Sequence, residues 1–217
     1  MKHFEAEEEP TYAAVLFGDE IARARRFAEN LIREGEERGL IGPDEPARLW
    51  TRHLVNCVLL APELGNSSTK HRLRVADIGS GAGLPGLVLA IARPDIDFTL
   101  IEPLERRTRW LREQVENLDL DNVTVFTGRA EDFPEKQAFD VVTARAVKAL
   151  KTLIPMISPL VATGGQIKLL KGARIDDEIS AASSQISRFS LTDISTAILG
   201  EDVVPEPTRL FSATVTR

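Results

Sequence analysis

The stretch Arg74 to Gly86, reading Arg-Val-Ala-Asp-Ile-Gly-Ser-Gly-Ala-Gly-Leu-Pro-Gly, constrains this chain more than any other. Val75, Ala76 and Ile78 form a short apolar run of the kind buried on both faces of a parallel sheet. Gly79, Gly81, Gly83 and Gly86 follow at once, and Leu87, Val88, Leu89 and Ile91 then repeat with a helical pattern. Glycines between a strand and a helix permit positive φ and let a ligand approach bare backbone. The helix beyond them adds unpaired amides and partial positive charge at its N-terminus. Pro85 suits the first helical turn, where its missing N–H costs little. A bare structural turn does not call for glycines at this density, so the segment reads as a ligand-binding loop.

Beyond Leu73, strand and helix patterns alternate. Strands are predicted at 98–101, 123–126, 139–143 and 165–170, with closing strands at 194–199 and 210–215. Helical patterns fill 104–118, 149–160 and 176–189. This order implies an α/β fold built on a mostly parallel seven-stranded sheet with helices on both faces. The last two strands lie too close for a helical crossover, so the C-terminal end is expected to be antiparallel. Ahead of the sheet, Val15, Leu16, Phe17, Ile21, Phe27, Ala28, Leu31 and Ile32 predict one helix over 13–38. Pro46 opens a second, through Leu49, Trp50, His53, Leu54, Val58 and Leu59 to Pro62, and 66–70 is a polar loop. The expected organisation is a disordered acidic tail over 1–10, an N-terminal helical cap over 11–65 packed on the main domain, and that domain over 66–217.

Composition sets outer limits. At 217 residues, 43% hydrophobic and 28% charged, the chain suits one globular domain with a small appendage. No apolar run approaches membrane-spanning length, and the N-terminus lacks the order of a signal peptide. The single cysteine, Cys57, forms no internal disulfide, so a cytoplasmic setting is expected. Cys57 lies in an apolar helical pattern and reads as a packed hydrophobe rather than a nucleophile. No heptads or long apolar edge demand a dimer, so a monomer is expected. The net charge of −6 argues weakly against nucleic acid, although Glu5, Glu7, Glu8 and Glu9 supply four of the acids and leave room for a basic face elsewhere.

The glycine loop fits two chemistries. Gly81-Ala-Gly83-Leu-Pro-Gly86 satisfies the dinucleotide fingerprint, in which a pyrophosphate sits on the helix N-terminus. Asp77 before the first glycine would repel that group but suit the cationic sulfonium of S-adenosyl-L-methionine, and Asp-x-Gly-x-Gly-x-Gly resembles the first motif of Rossmann-like methyltransferases. Glu102 ends the second strand about 20 residues on, where an acid accepts from ribose hydroxyls or caps the next helix. Ala130 and Glu131 follow the third strand, positioned to flank an adenine, and Asp132 beside them is equally a turn residue. Arg145 follows the fourth strand, where its planar fork suits a carboxylate or a guanine edge. Lys148, Lys151, Lys168, Lys171 and Arg174 are placed on the same carboxyl side, and Arg48, Arg52 and His53 would join them if the cap folds over that edge. Around a cofactor cleft such a cluster suits an anionic polymer. A small-molecule methyltransferase and a nicotinamide oxidoreductase are the competing readings.

Taken together, Asp77 to Gly86, Arg93-Pro94, Phe98 to Glu102, Arg106-Arg107, Ala144-Arg-Ala146 and Leu170-Lys-Gly172 resemble the bacterial 16S rRNA guanine-N7 methyltransferase family, also called glucose-inhibited division protein B. Arg52-His-Leu54 with Leu60-Ala-Pro62 is similar to its helix before the fold, and the likeness runs from about Arg48 to Glu178. The resemblance implies a Rossmann-like class I fold and S-adenosyl-L-methionine as cofactor. It implies cofactor contacts at Gly79, Leu84, Ala130, Glu131 and Arg145, beside Asp77 and Gly81 of the loop and Glu102 at the end of the second strand. It also implies a guanine of the decoding-region hairpin loop of 16S rRNA, in free RNA or the small ribosomal subunit, as substrate. Arg145 and Lys171 are the candidates to grip that guanine or a neighbouring phosphate.

Overall fold

The computed structural model describes residues 5–68 and 71–216. Residues 1–4 of the acidic tail and Thr69 and Lys70 of the polar loop lie outside them. Seven strands, β1 (Arg74–Ile78), β2 (Asp97–Glu102), β3 (Val123–Thr127), β4 (Phe139–Arg145), β5 (Val161–Lys171), β6 (Leu191–Leu199) and β7 (Thr208–Val215), form one sheet in the order β3-β2-β1-β4-β5-β7-β6. β1 to β5 pair in parallel, whereas β7 runs antiparallel to β5 and to β6. The expected seven-stranded sheet with an antiparallel C-terminal strand is what forms.

Successive residues of a strand face opposite sides, and each side here is covered. Val75, Phe98, Leu100 and Val141 pack under the N-terminal helices and α4 (Gly86–Ala92), whereas Ala76, Ile78, Ile101 and Val142 face α6 (Leu150–Ile157) and α7 (Ile175–Ala181). α5 (Glu105–Asn117) joins the first layer through Trp110 and Leu111, both fully buried. The Trp110 indole N–H donates to the Ala82 carbonyl at 3.0 Å, so α5 also clamps the glycine loop. Asn122 Nδ2 reaches the carbonyls of Ala90, Arg93 and Ile96, closing the C-terminal end of α4 against the start of β3.

The cap departs from expectation in detail. The single helix expected over 13–38 is two, α1 (Thr11–Phe17) and α2 (Ile21–Glu34), because Gly18 adopts φ 54° between them. Arg23 and Arg25 pair with Glu20 and Glu9 on the solvent side of α2. Glu9 and Glu7, which accepts from the Thr51 amide at 3.0 Å, therefore anchor part of the segment expected to be disordered. The second cap helix is a π-helical stretch, Leu49–Val55, that runs into α3 (Asn56–Val58). Such widened turns are rare and recur at functional sites. Asn30 donates to Gln114 Oε1 at 2.8 Å, and Phe27, Leu31 and Leu54 share one buried cluster with Leu87 and Trp110. The cap is thus packed into the same core as the sheet.

Candidate functional site

The strand order reverses between β1 and β4, and open α/β sheets bind ligands outside the carboxyl ends of strands at such a point. There the glycine loop turns through left-handed conformations, with φ 71° at Gly79, 56° at Gly81 and 101° at Gly83. The Gly79 amide donates to the Ile101 carbonyl at 2.8 Å, fixing the loop to the end of β2. A cavity of about 270 Å³ opens beside it, lined by Gly79, Gly81 and Leu84 on one side and by Leu40 and Ile41 of the cap on the other.

Asp77 does not flank that cavity as the sequence reading expected. It pairs in register with Thr143 inside the sheet, is fully buried, and accepts the Gly86 amide at 3.0 Å on Oδ2. It therefore supports the first turn of α4 from below, and its other oxygen, Oδ1, has no hydrogen-bond partner. Burial pushes the carboxyl up to about 7, against the opposing pull of the Ser80 hydroxyl, the Gly86 amide and Arg145. A carboxyl whose pKa is raised by folding stabilises the fold while protonated. That contribution is complete below the unfolded pKa near 3.8 and fades as pH rises through about 7. Asp77→Asn keeps an acceptor for Gly86 and cannot ionise. Urea midpoints of the wild type are expected to fall between pH 4 and 8 relative to Asp77→Asn, by on the order of 3–4 kcal/mol across the range. Parallel pH profiles for the two proteins would refute this account of Asp77.

The acid that touches the loop is Glu102. Its Oε2 accepts the Gly81 amide at 3.0 Å and its Oε1 accepts the Leu104 amide at 3.0 Å, so it ties the glycine loop to the residue just ahead of α5. Arg107 lies 3.8 Å from the same carboxylate. Ala130 is buried beyond β3 and Glu131 is exposed, and neither lines the cavity.

Arg145, at the last position of β4, donates from Nη1 to the Arg52 carbonyl at 3.2 Å and from Nη2 to His53 Nδ1 at 2.6 Å. The cap thus folds over the carboxyl edge, as the grouping of Arg52 and His53 with the basic cluster required. Beyond Arg145 a larger cavity of about 720 Å³ opens toward α6 and α7. Its walls carry five cations, Arg52, Arg145, Lys148, Lys171 and Arg174, against the carboxylates of Glu45 and Glu178. The local surplus is positive although the chain carries −6 overall.

Other members of the expected basic cluster stand differently, and neither Lys151 nor Arg48 lines this cavity. Lys171 Nζ is engaged, 2.7 Å from Glu178 Oε2 and donating to the Lys148 carbonyl at 3.0 Å. The same Glu178 oxygen accepts the Leu150 amide at 2.9 Å, so this pair braces the loop that leads into α6. Lys168 is not on the rim. It sits opposite Thr143 within β5, is only 7% exposed, and burial lowers its pKa. Cys57 is fully buried with its thiol pushed up to about 11 by burial, as a packed side chain should be. Sequence reasoning missed Glu45 and Asn56. Glu45 lies in a turn-like stretch and its carboxylate meets His53 Nε2, while Asn56 lines the larger cavity with Oδ1 buried and unpartnered.

The sheet order and the loop geometry define the class. The fold is that of the class I S-adenosylmethionine-dependent methyltransferases. The tRNA (m1A58) methyltransferase TrmI of Aquifex aeolicus superposes with TM-score 0.57 at 14% identity, over 74% of this chain and 68% of that one. A SAM-dependent O-methyltransferase of Thermotoga maritima gives 0.55 at 17% identity, over 75% and 66%. The family follows from sequence. The GidB description, rRNA small subunit methyltransferase G, matches residues 20–203. "Ribosomal RNA small subunit methyltransferase G" of Clavibacter sepedonicus is 53% identical over 99% of both chains, and that of Arthrobacter sp. strain FB24 is 46% identical over 94% of this chain and 93% of the relative. The chain belongs to the rRNA small subunit methyltransferase G family.

Proposed function

We propose that this protein methylates N7 of a guanine in the decoding-region hairpin loop of 16S rRNA, with S-adenosyl-L-methionine as the methyl donor. At the coarser level, membership of the family makes it an S-adenosyl-L-methionine-dependent methyltransferase of small-subunit rRNA. The observation that carries the finer reading is the adjacency of two cavities with opposite character. One is a small cleft on bare glycine backbone, the other a wide basic chamber, and Arg145 belongs to both.

The residues present fit the cofactor. Gly79 and Gly81 hold left-handed turns that bare their backbone to the smaller cavity, and a Cβ at Gly79 would press on Val147 at 3.1 Å. Gly79, Gly81 and Leu84 would hold the cofactor there, with Glu102 taking ribose hydroxyls on the lone pairs its two amide contacts leave free. Ala130 and Glu131 would flank the adenine. When bound, S-adenosyl-L-methionine supplies an electrophilic methyl group on a sulfonium.

The protein's own task is to bring a base to it. Guanine N7 carries a free lone pair, so no residue has to remove a proton, and the work is positioning. In an A-form helix N7 faces a groove too deep and narrow for side chains, so the base enters unpaired or flipped. Arg145 offers a two-pronged donor to guanine O6, and Asn56 Oδ1 offers an acceptor to its N–H groups. Arg52, Lys148 and Arg174, all exposed, receive neighbouring phosphates, while Lys171 shapes their loop through Glu178. Incubation with 16S rRNA and with intact small subunits, using methyl-labelled cofactor, is expected to place label at a single guanine N7. Binding of that substrate should weaken steeply with salt. Label at another position or base, or on small molecules only, would remove the finer assignment.

A further inference from the structure

The two cavities share four residues, Glu45, His53, Arg145 and Ala146, and three of these form one hydrogen-bonded chain. It starts on the cap and ends on the sheet. Arg48 holds Glu45 Oε1 at 2.5 Å, Glu45 Oε2 meets His53 Nε2, and His53 Nδ1 meets Arg145 Nη2 at 2.6 Å. A guanidinium has donors only, so Nδ1 has to accept. The ring is therefore neutral and carries its proton on Nε2, where it donates to the Glu45 carboxylate. A single tautomer satisfies both contacts.

We infer that His53, oriented by Glu45, is a positioning residue that fixes the Arg145 guanidinium on the wall between the two cavities, so that the N-terminal cap sets the geometry of both cofactor and base binding. This rests on the methyltransferase reading above. The π-helical turn is what delivers His53: it places Arg52 and His53 along the larger cavity, with Asn56 beside them at the start of α3. Burial and the charge of Arg145 lower the His53 pKa, in keeping with the neutral ring that the contacts require. Glu45 is raised by burial, yet hydrogen bonds from Arg48 and His53 prevail and keep it below the ordinary carboxylate range. The groups facing His53 are thus one anion, Glu45, and the cations Arg52 and Arg145. Protonation of His53 turns Nδ1 into a donor aimed at a donor and releases Arg145.

Three measurements test this. His53→Asn keeps an acceptor near the Nδ1 position and does not titrate; His53→Ala removes it. Calorimetry at pH 7.5 is expected to show S-adenosylhomocysteine binding weakened about tenfold in His53→Ala and by no more than about threefold in His53→Asn. Between pH 7.5 and 5.5 the wild type should lose affinity as the pH drops below 6.5, and His53→Asn should lose less. Asp77 is present in both, so the difference between their profiles belongs to His53. Nitrogen NMR of the wild-type ring at pH 7.5 should show the Nε2–H tautomer. The Nδ1–H tautomer, or wild-type affinity in His53→Ala at every pH, overturns the inference. If the wild type binds S-adenosylhomocysteine but leaves rRNA unmodified, the substrate reading fails and the positioning role is still decided by the binding data. A wild type that does not bind S-adenosylhomocysteine overturns both.

Discussion

Arg145→Ala is expected to lower kcat/KM for small-subunit RNA by at least about a hundredfold while leaving the fold in place. A hundredfold corresponds to about 2.7 kcal/mol of transition-state stabilisation, within reach of one positioned guanidinium lost from a partly dry site. The structural cost is smaller. Arg145 is part-exposed, and its polar contacts go to the Arg52 carbonyl, to His53 and to the buried Cys57 thiol, so unfolding free energy should change by about 1–2 kcal/mol. Arg145→Lys restores the charge without the planar fork and should recover only part of the rate. A second readout follows from the burial of Asp77. Arg145 pulls that carboxyl down, so in Arg145→Ala the pH at which stability fades should move upward. Turnover close to wild type in a folded Arg145→Ala would take Arg145 out of the mechanism.

How far the sequence alone reached is clearest at the edges of the sheet. The loop from Gly79 to Gly86 was legible because left-handed backbone between an apolar strand and an apolar helix leaves glycine as the residue of choice, and three of those glycines do take positive φ. Strand and helix alternation gave the layers, since a parallel sheet needs crossovers that hide both faces. Asp77 was misplaced because a motif records the order of residues and not the face they point to. Its spacing of two from Val75, which packs under α4, carried the missing information. Lys168 was grouped with the rim although it falls inside the strand predicted over 165–170, because a lysine in a strand is read first as exposed, and only its pairing with Thr143 of β4 shows that it is enclosed. The break at Gly18 was hidden by an apolar period that continues on both sides of it. The chain from Glu45 through His53 to Arg145 was beyond reach, since it joins a turn, a π-helical stretch and a strand end 92 residues from His53. Such contacts come from topology, and no local pattern encodes them.

Gly86→Ala is expected to be strongly damaging for a single-methyl change, and it tests the seating of α4 directly. Gly86 does not have positive φ, so the effect is steric and owes nothing to backbone strain. A Cβ there would stand 2.3 Å from Leu100 Cδ2, 2.5 Å from Asp77 Oδ2 and 2.9 Å from Asp77 Cβ. Leu100 is fully buried and cannot swing away, and Asp77 is the acceptor of the Gly86 amide. Either α4 lifts from the sheet, or the carboxyl rotates and leaves that amide unpaired. Overpacking of a tight core costs about 1–3 kcal/mol and an unmade buried hydrogen bond about as much again. A loss of about 3–5 kcal/mol is therefore expected, enough to bring a marginally stable domain near its unfolding threshold. Since α4 begins where the loop ends, cofactor affinity should fall with it. Gly172→Ala supplies the control, because a Cβ there meets nothing within 4 Å, and it should shift the urea midpoint by less than about 0.5 kcal/mol. Equal midpoints and unchanged m-values for Gly86→Ala and Gly172→Ala would mean that α4 does not press on β1 and β2 in solution as it does here.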